Sequence, residues 1–181
     1  DKPFFTSTGG GVTLSGGEAT LQMDFASQLL QALKREGIHT AIETSGFFDY
    51  AHFKDKLLPW LDLIYYDIKL IDDEASKQYC GQSNQRILDN FCRLLTDAHI
   101  PIIPRIPLIP GITTTEENLR GIAAFLDKHG VKSCALMPYN PLWSDKLRKL
   151  GLTPRYQHSG FMTPAEQAAC ARHFTKPHSS S

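Results

Sequence analysis

Residues 9–20 read Gly-Gly-Gly-Val-Thr-Leu-Ser-Gly-Gly-Glu-Ala-Thr, and the chain around them follows from this stretch. A β-type run at 12–14 ends in a turn whose two glycines let the backbone bend tightly and let a ligand approach its N–H and C=O groups. The carboxylate of Glu18 beside bare carbonyls suits an ammonium group better than a phosphate. A simpler interpretation is a glycine-rich turn with an acid at a helix start. The Walker and G-x-G-x-x-G patterns are absent, so no motif supports a phosphate site.

Composition predicts an ordinary globular protein with one domain spanning residues 1–181. The chain is 41% hydrophobic, and its nineteen basic residues balance its nineteen acidic ones. This balance disfavours nucleic acid and anionic membranes as partners. No apolar run approaches the roughly 20 residues of a membrane span, and no signal-peptide pattern opens the chain, so a cytoplasmic location is expected. The cysteines at 80, 92, 134 and 170 form no close pair, which favours free thiols over a local metal site.

Helices and strands alternate along the chain. Strands are predicted at 12–14, 39–44, 61–69, 101–110 and 132–139. Helices are predicted at 24–36, with Asp24 as N-cap, at 50–58, at 85–97, from a capping box of Thr114 and Glu117 to residue 128, and after Thr163. Alternation of this kind predicts a parallel sheet, either in a barrel or in an open doubly wound fold.

Three segments carry weaker patterns. The polar stretch 72–84 is predicted to be a loop or lid, and 140–161 an amphipathic loop region. The four prolines of 101–110 predict an irregular strand or an exposed edge, because proline lacks the backbone donor. Residues 178–181 are predicted to be disordered.

Unusual polar residues lie where the predicted strands end, the edge at which parallel sheets bind ligands. Asp67 and Lys69 lie two residues apart on one face with Tyr65, and a plain structural ion pair is as good an explanation as a ligand site. Glu43 with Thr44 could hold a cation or a ligand hydroxyl, or be a solvated strand end. Arg105 stands in an apolar strand and needs a carboxylate from Glu43, Asp67 or a ligand.

Five motifs in order resemble those of the radical S-adenosylmethionine (SAM) enzymes that activate glycyl radical enzymes, of the pyruvate formate-lyase activase type. They are Gly-Gly-Gly-Val-Thr-Leu-Ser-Gly-Gly-Glu, Glu-Thr-Ser-Gly, Asp-Leu-Ile-Tyr-Tyr-Asp-Ile-Lys, Pro-Arg-Ile-Pro-Leu-Ile-Pro-Gly and Leu-Met-Pro-Tyr-Asn. The similarity runs from about residue 9 to about residue 175. It implies a partial TIM-like (β/α) barrel of parallel strands that binds SAM and a [4Fe–4S] cluster.

In such enzymes the reduced cluster cleaves SAM, and the resulting radical abstracts hydrogen from a glycine of a partner glycyl radical enzyme. A flavodoxin or ferredoxin would supply the electron. By the resemblance, Gly16, Gly17 and Glu18 would bind the methionine ammonium, while Asn140 stands where the family has a histidine near the nucleoside. The resemblance assigns to the SAM site Ser15, Gly16, Gly17, Glu18, Glu43, Thr44, Asp67, Ile68, Lys69, Arg105 and Asn140. It assigns a monovalent cation to Glu43, Thr44, Tyr65 and Asp67.

The family's Cys-x-x-x-Cys-x-x-Cys cluster motif is absent from this sequence. The expectation is therefore a barrel lacking its first βα unit, with iron–sulfur ligands absent, the strand at 11–15 as an open edge, and no radical reaction by this chain alone. A non-catalytic SAM- or partner-binding barrel remnant is the alternative. A third possibility is an unrelated barrel lyase that uses Lys69 as a Schiff-base amine.

Overall fold

The fold is a single parallel sheet whose strands follow one another in chain order. The computed structural model describes residues 2–142, 151, 156 and 158–174. Each strand pairs in parallel with the next, and the order never reverses. Sequential order is the arrangement of a (β/α) barrel, whereas a doubly wound sheet reverses. The predicted partial barrel is confirmed. The strands are β1 (Gly11–Leu14), β2 (His39–Thr44), β3 (Leu63–Asp67), β4 (Ile102–Leu108) and β5 (Ala135–Pro138).

Helices cover one face of this sheet and form the core with it. The helices in the described part of the chain are α1 (Lys2–Thr8), α2 (Met23–Arg35), α3 (Tyr50–Lys56), α4 (Asp73–Cys80), α5 (Gln85–Asp97), α6 (Glu116–Lys128) and α7 (Pro164–Ala171), with 3₁₀ turns at Ala19–Gln22 and Leu58–Trp60. Ile42, Tyr66 and Ile106 of the sheet are fully buried. Because side chains alternate along a strand, Glu43, Asp67 and Arg105 lie on the opposite, open face.

Two helices were not predicted. Residues 72–84, expected to be a loop or lid, contain α4: Asp72 caps its start by accepting from the Ala75 N–H at 2.7 Å, and Gly81 ends it in the left-handed region. Its sequence, rich in polar residues, has no apolar stripe wide enough to predict a helix. Helix α1 also lies in a stretch for which the pattern predicted nothing.

Two predicted N-caps were wrong. Asp24 lies in the first turn of α2, because the 3₁₀ turn that Glu18 caps leads directly into the helix and makes Gln22, two residues earlier, the N-cap position. Thr115, one residue after the predicted Thr114, caps α6 by accepting from the Asn118 N–H. The Thr114 hydroxyl instead accepts from the Gly111 N–H at 3.0 Å. The predicted capping box at Thr163 is confirmed.

Strand β4 lies inside the sheet between β3 and β5, so the expectation of an exposed edge was wrong. The carbonyls of Pro101 and Arg105 accept from β3, and alternation therefore turns Pro104 toward β5 and Pro107 toward β3. Pro104 lies opposite the residue just before β5, and Pro107 lies opposite residues that follow the end of β3. Neither proline removes a bond that the neighbouring strand could form.

Strand β1 pairs only with β2 and is an edge of the sheet that the described residues form, as predicted. Among the described residues no helix is both long and apolar enough to cross a membrane. The predicted disorder at 178–181 lies outside the described residues, as does most of the predicted loop region at 140–161.

Candidate functional site

The Glu18 carboxylate connects the glycine-rich turn to the end of β2 by hydrogen bonds. Its Oε1 accepts from the Thr20 hydroxyl at 2.8 Å and from the Thr44 hydroxyl at 2.8 Å. Its Oε2 accepts from the Ser45 N–H at 2.8 Å and from the Ser45 hydroxyl at 2.6 Å. The carboxylate is thus largely satisfied within the chain. Gly16 and Gly17 of this turn are exposed to solvent.

Arg105 lies between two carboxylates on the open face of the sheet. Its Nη1 lies 2.7 Å from Oε1 of Glu43, and its Nε lies 2.8 Å from Oδ1 of Asp67. The Ser15 hydroxyl donates to the other oxygen of Glu43 at 2.7 Å. The prediction that Arg105 needs a carboxylate partner is confirmed, and both carboxylates named for it are used. The three strands β2, β3 and β4 are linked by this one guanidinium.

A cavity of about 370 Å³ opens beside these charges. Glu18, Ser45, Asp67 and Lys69 are among the residues that line it, together with the buried Ile68. The Lys69 ammonium lies 3.4 Å from Oδ2 of Asp67, with about a third of the side chain exposed. A cavity of this size, with polar groups converging from several strand ends, is typical of a small-molecule site.

Two acids of the site, Glu18 and Glu43, have lowered pKa values and stay ionised well below neutral pH. Burial of Glu18 opposes ionisation, but its hydrogen bonds from Ser45, Thr20 and Thr44 outweigh that cost and lower its pKa. The hydrogen bond from Ser15 and the guanidinium of Arg105 lower the pKa of Glu43, against a smaller effect of burial. The site therefore presents fixed negative charge to a ligand at neutral pH.

Eight of the predicted site residues fall into two groups and one outlier. Ser15, Glu43, Arg105, Asp67 and Lys69 form one chain of contacts across the open face of the sheet. Glu18 and Thr44 form the other group, because the Thr44 hydroxyl points away from Glu43 toward Glu18. Asn140 is exposed after β5, and its amide oxygen accepts from the Leu142 N–H at 2.9 Å.

The glycine turn at residues 16 and 17 is open to solvent and lies beside the site. A Cβ placed on Gly16 or Gly17 would meet nothing within 4 Å, so a ligand can reach the backbone there. Gly16 has a φ of 121°, which disfavours any other residue. The turn therefore has both the room and the backbone conformation expected of a ligand cradle.

Sequence reasoning missed the polar residues that support this edge. Ser45 follows β2 directly and was quoted only within the Glu-Thr-Ser-Gly motif, although its hydroxyl is the shortest contact of Glu18. Asn84 and Asn118 are buried and bond to the chain that follows β3. In the sequence each asparagine is only a polar residue beside the apolar stripe of a helix. That pattern is too common to identify a supporting residue.

The described residues do not offer an iron–sulfur site. All four cysteines lie in described parts of the chain and are free thiols, and burial raises the pKa of Cys92, Cys134 and Cys170. No group of three or more histidine, cysteine or acidic side chains in the described residues is arranged to hold a metal ion. Such a cluster needs three or four thiolates close together, so these residues do not fit it.

Comparison with known proteins agrees with this geometry. Residues 6–126 match the family model of the radical SAM superfamily. The chain is 38% identical over 175 residues to the pyruvate formate-lyase-activating enzyme of Staphylococcus epidermidis, which covers 92% of this chain and 68% of the relative. It is 39% identical over 155 residues to the choline trimethylamine-lyase activating enzyme of Oleidesulfovibrio alaskensis, covering 83% of this chain and 49% of the relative. The chain thus spans about half the length of some relatives that it matches.

A solved structure supports the same fold. A crystal structure of a domain of the pyruvate-formate lyase-activating enzyme from Bacteroides vulgatus superposes with a TM-score of 0.66 and 28% sequence identity. The match covers 91% of this chain and 92% of that domain. A half-barrel of the same extent therefore exists as a solved domain.

Proposed function

Because the chain belongs to the radical SAM superfamily, among the activating enzymes of glycyl radical enzymes, we propose that it is the SAM-binding part of such an activase. The observation that carries the proposal is the charge cluster of Glu18, Asp67 and Lys69 in the wall of the 370 Å³ cavity, which Arg105 extends from Asp67 to Glu43. Three carboxylates, Glu18, Glu43 and Asp67, against two cations, Lys69 and Arg105, leave a formal charge of −1. SAM has an ammonium, a sulfonium and a carboxylate, and so one net positive charge. The two charges are complementary.

The groups of SAM find partners of opposite character at this edge. The backbone carbonyls of Gly16 and Gly17 would accept from the methionine ammonium, since Glu18 already accepts from its own neighbours. Lys69, about a third exposed, would meet the carboxylate. Asp67, next to Lys69 in the cavity wall, would balance the sulfonium charge. In this proposal Glu18 holds the glycine turn in place, and the turn binds the ligand.

A monovalent cation at Glu43, Thr44, Tyr65 and Asp67 stays a prediction. The guanidinium of Arg105 lies between Glu43 and Asp67 and forms an ion pair with each carboxylate. A cation would have to share these oxygens with Arg105, and the Thr44 hydroxyl would have to leave Glu18. Asn140 as a nucleoside contact also stays a prediction.

Activation of a glycyl radical enzyme is proposed for the protein as a whole. When bound beside a reduced [4Fe–4S] cluster, SAM supplies a 5′-deoxyadenosyl radical in this family. The described residues do not fit that cluster, so the contribution that we propose for this chain ends with binding and orienting SAM. A flavodoxin or ferredoxin as reductant, a cytoplasmic location, a single domain, and the lack of nucleic-acid and membrane partners stay predictions.

The first test is a calorimetric titration of SAM into this chain, into a Lys69→Met variant and into a matched Lys54→Met control. Lys54 is exposed and pairs with Asp97 at 2.8 Å, away from the cavity. Loss of one charge-assisted contact should weaken SAM binding about tenfold in Lys69→Met. The control should bind like the unaltered chain. Absence of SAM binding, or equal binding by all three proteins, contradicts the proposal.

A non-catalytic SAM-binding module is the second candidate, favoured by the lack of a cluster ligand set among the described residues. Anaerobic incubation of the chain with iron, sulfide, dithionite, SAM and a separately supplied segment that contains Cys-x-x-x-Cys-x-x-Cys separates the two candidates. Formation of 5′-deoxyadenosine supports the activase. SAM binding without that product supports the module. The Schiff-base lyase is set aside, because it required an unrelated family.

A further inference from the structure

The segment that follows β3, residues 69–71, is held by hydrogen bonds from asparagine side chains. Nδ2 of Asn118 donates to the Lys69 carbonyl at 2.9 Å and to the Thr113 carbonyl at 2.9 Å. Oδ1 of Asn118 accepts from the Ile71 N–H at 2.9 Å. The Asn118 side chain, on helix α6, is only 6% exposed. One amide therefore joins the loop after β3 to the loop after β4.

A second buried asparagine completes the arrangement. Nδ2 of Asn84, which precedes α5, donates to the Leu70 carbonyl at 3.0 Å and to the Ile71 carbonyl at 2.8 Å. Each carbonyl from Lys69 to Ile71 thus accepts from a buried amide. Because a buried carbonyl without a partner costs free energy, the segment has one favourable position relative to α5 and α6.

Lys69 lies between two anchors of this segment. On one side the Ile68 N–H donates to the Arg105 carbonyl at 2.9 Å, which continues the ladder of the sheet. On the other side the Lys69 carbonyl itself is bonded to Asn118. The direction of the Lys69 side chain is therefore set by groups that the ligand does not touch.

Helix α6 approaches the segment as closely as its backbone allows. Gly121 lies one turn after Asn118, and a Cβ built on it would come within 2.6 Å of Cγ2 of Ile71. The close approach brings Asn118 within hydrogen-bond reach of both loops. The helix and its asparagine act as one support for the strand ends.

We propose that Asn118 is a positioning residue of the SAM site, which fixes Lys69 in the cavity wall by tying the loops after β3 and β4 to helix α6. The inference rests on the proposed function for its ligand. It assigns to Asn118 an effect on SAM affinity that passes through Lys69, although Asn118 does not touch the cavity itself.

The diagnostic variant is Asn118→Asp, which keeps the acceptor for Ile71 and replaces the amide donor by an oxygen facing two carbonyls. We expect SAM to bind about tenfold more weakly to this variant, as after loss of a buried hydrogen bond beside a charged group. In the Lys69→Met background the same substitution should change the affinity by no more than about twofold, since interacting residues are not additive. Equal losses in both backgrounds overturn the proposal.

A Thr40→Val variant separates positioning from general destabilisation. The Thr40 hydroxyl donates to the Trp60 carbonyl at 2.6 Å at the opposite end of β2 and is fully buried. This variant should lower the free energy of unfolding and leave SAM affinity unchanged. A loss of affinity equal to that of Asn118→Asp overturns the proposal, since any loss of stability would then explain both.

Amide hydrogen exchange tests the support without a ligand. In Asn118→Leu the Ile71 amide loses its acceptor and should exchange at least about tenfold faster. The Ile64 amide, bonded to the Pro101 carbonyl at 3.1 Å, should exchange as before. An unchanged Ile71 rate overturns the positioning role. Failure of the unaltered chain to bind SAM overturns instead the proposed function, and the exchange rates still decide whether Asn118 holds the segment.

Discussion

Asp67 on β3 and Arg105 on β4 are register partners in the parallel sheet, and Nε of Arg105 lies 2.8 Å from Oδ1 of Asp67. The same guanidinium reaches Glu43 on β2 at 2.7 Å. Its side chain is 13% exposed, so the charges are shielded from water but not fully buried. One cation in the middle of β4 therefore holds the carboxyl ends of β2 and β3.

Arg105→Met should destabilise the fold, because it leaves Glu43 and Asp67 facing each other without the cation. The free energy of unfolding in urea should fall by about 2 kcal/mol, less than the ~3–5 kcal/mol of a fully buried pair. The control is Arg120→Met, which breaks an exposed pair with Glu116 and should cost no more than about 0.5 kcal/mol. Equal effects of the two variants would mean that Arg105 is no more than a surface charge.

Glu18→Gln should make stability less dependent on acid pH. The pKa of Glu18 is lower in the folded chain than its ordinary value of 4.5, so its stabilisation is present above that pH and is lost as pH falls through the folded value. The variant should be less stable by about 1–2 kcal/mol at neutral pH. That gap should shrink steadily below pH 4.5. Urea unfolding across this range measures it, and a gap independent of pH contradicts the assigned hydrogen bonds.

Gly46→Ala should be among the most damaging single changes. Gly46 has a φ of 80°, and a Cβ there would meet the hydroxyl of Tyr66, which is fully buried and donates to the Ile87 carbonyl at 2.6 Å. We expect a loss of about 3 kcal/mol from the sum of backbone strain and displaced packing. Gly81→Ala is the matched control, with a φ of 75° and open space around it. It should cost only about 1 kcal/mol. If the two variants lose similar stability in thermal unfolding, the contact with Tyr66 does not explain the effect of Gly46→Ala.

The rate at which Cys80 is modified should depend on whether SAM occupies the cavity. It is exposed and lines the cavity with Asp67 and Lys69, whereas burial raises the pKa of the other three cysteines and lowers their reactivity. Iodoacetamide at neutral pH should modify Cys80 first, and bound SAM should slow that reaction several-fold. A Cys80→Ser variant should lack the fast phase. Modification that SAM does not slow would place the ligand elsewhere.

The charges of the site illustrate what a sequence can and cannot predict. That Arg105 needs a carboxylate follows from its place in an apolar strand, and the structure supplies both of the protein acids considered for it. The partners of Glu18 did not follow, because Thr44 and Ser45 are 26 and 27 residues away and meet it only through the pairing of β1 with β2. Those donors already bond to both oxygens of Glu18, and an ammonium contact for this carboxylate stays a prediction.

For the fold, too, features with a strong local sequence pattern were predicted, and features without one were not. Helices with a wide apolar stripe, such as α5, were predicted to the residue, whereas α4 was missed because its ends are set by Asp72 and Gly81 with little apolar surface between them. Strand β4 was predicted to exist and to be irregular. Its place inside the sheet depends on where β3 ends and β5 begins, which its own prolines do not reveal.

By itself the sequence determined the alternation of strands and helices, the polar residues at the strand ends and the family, because hydrophobic periodicity and short motifs are local properties of the chain. Only the tertiary structure decided which groups satisfy one another. Glu18 meets the end of β2, Arg105 joins Glu43 and Asp67, and Asn118 reaches Lys69 across 49 residues. Such contacts form because buried polar groups must find partners, and strand register determines which partners lie within reach.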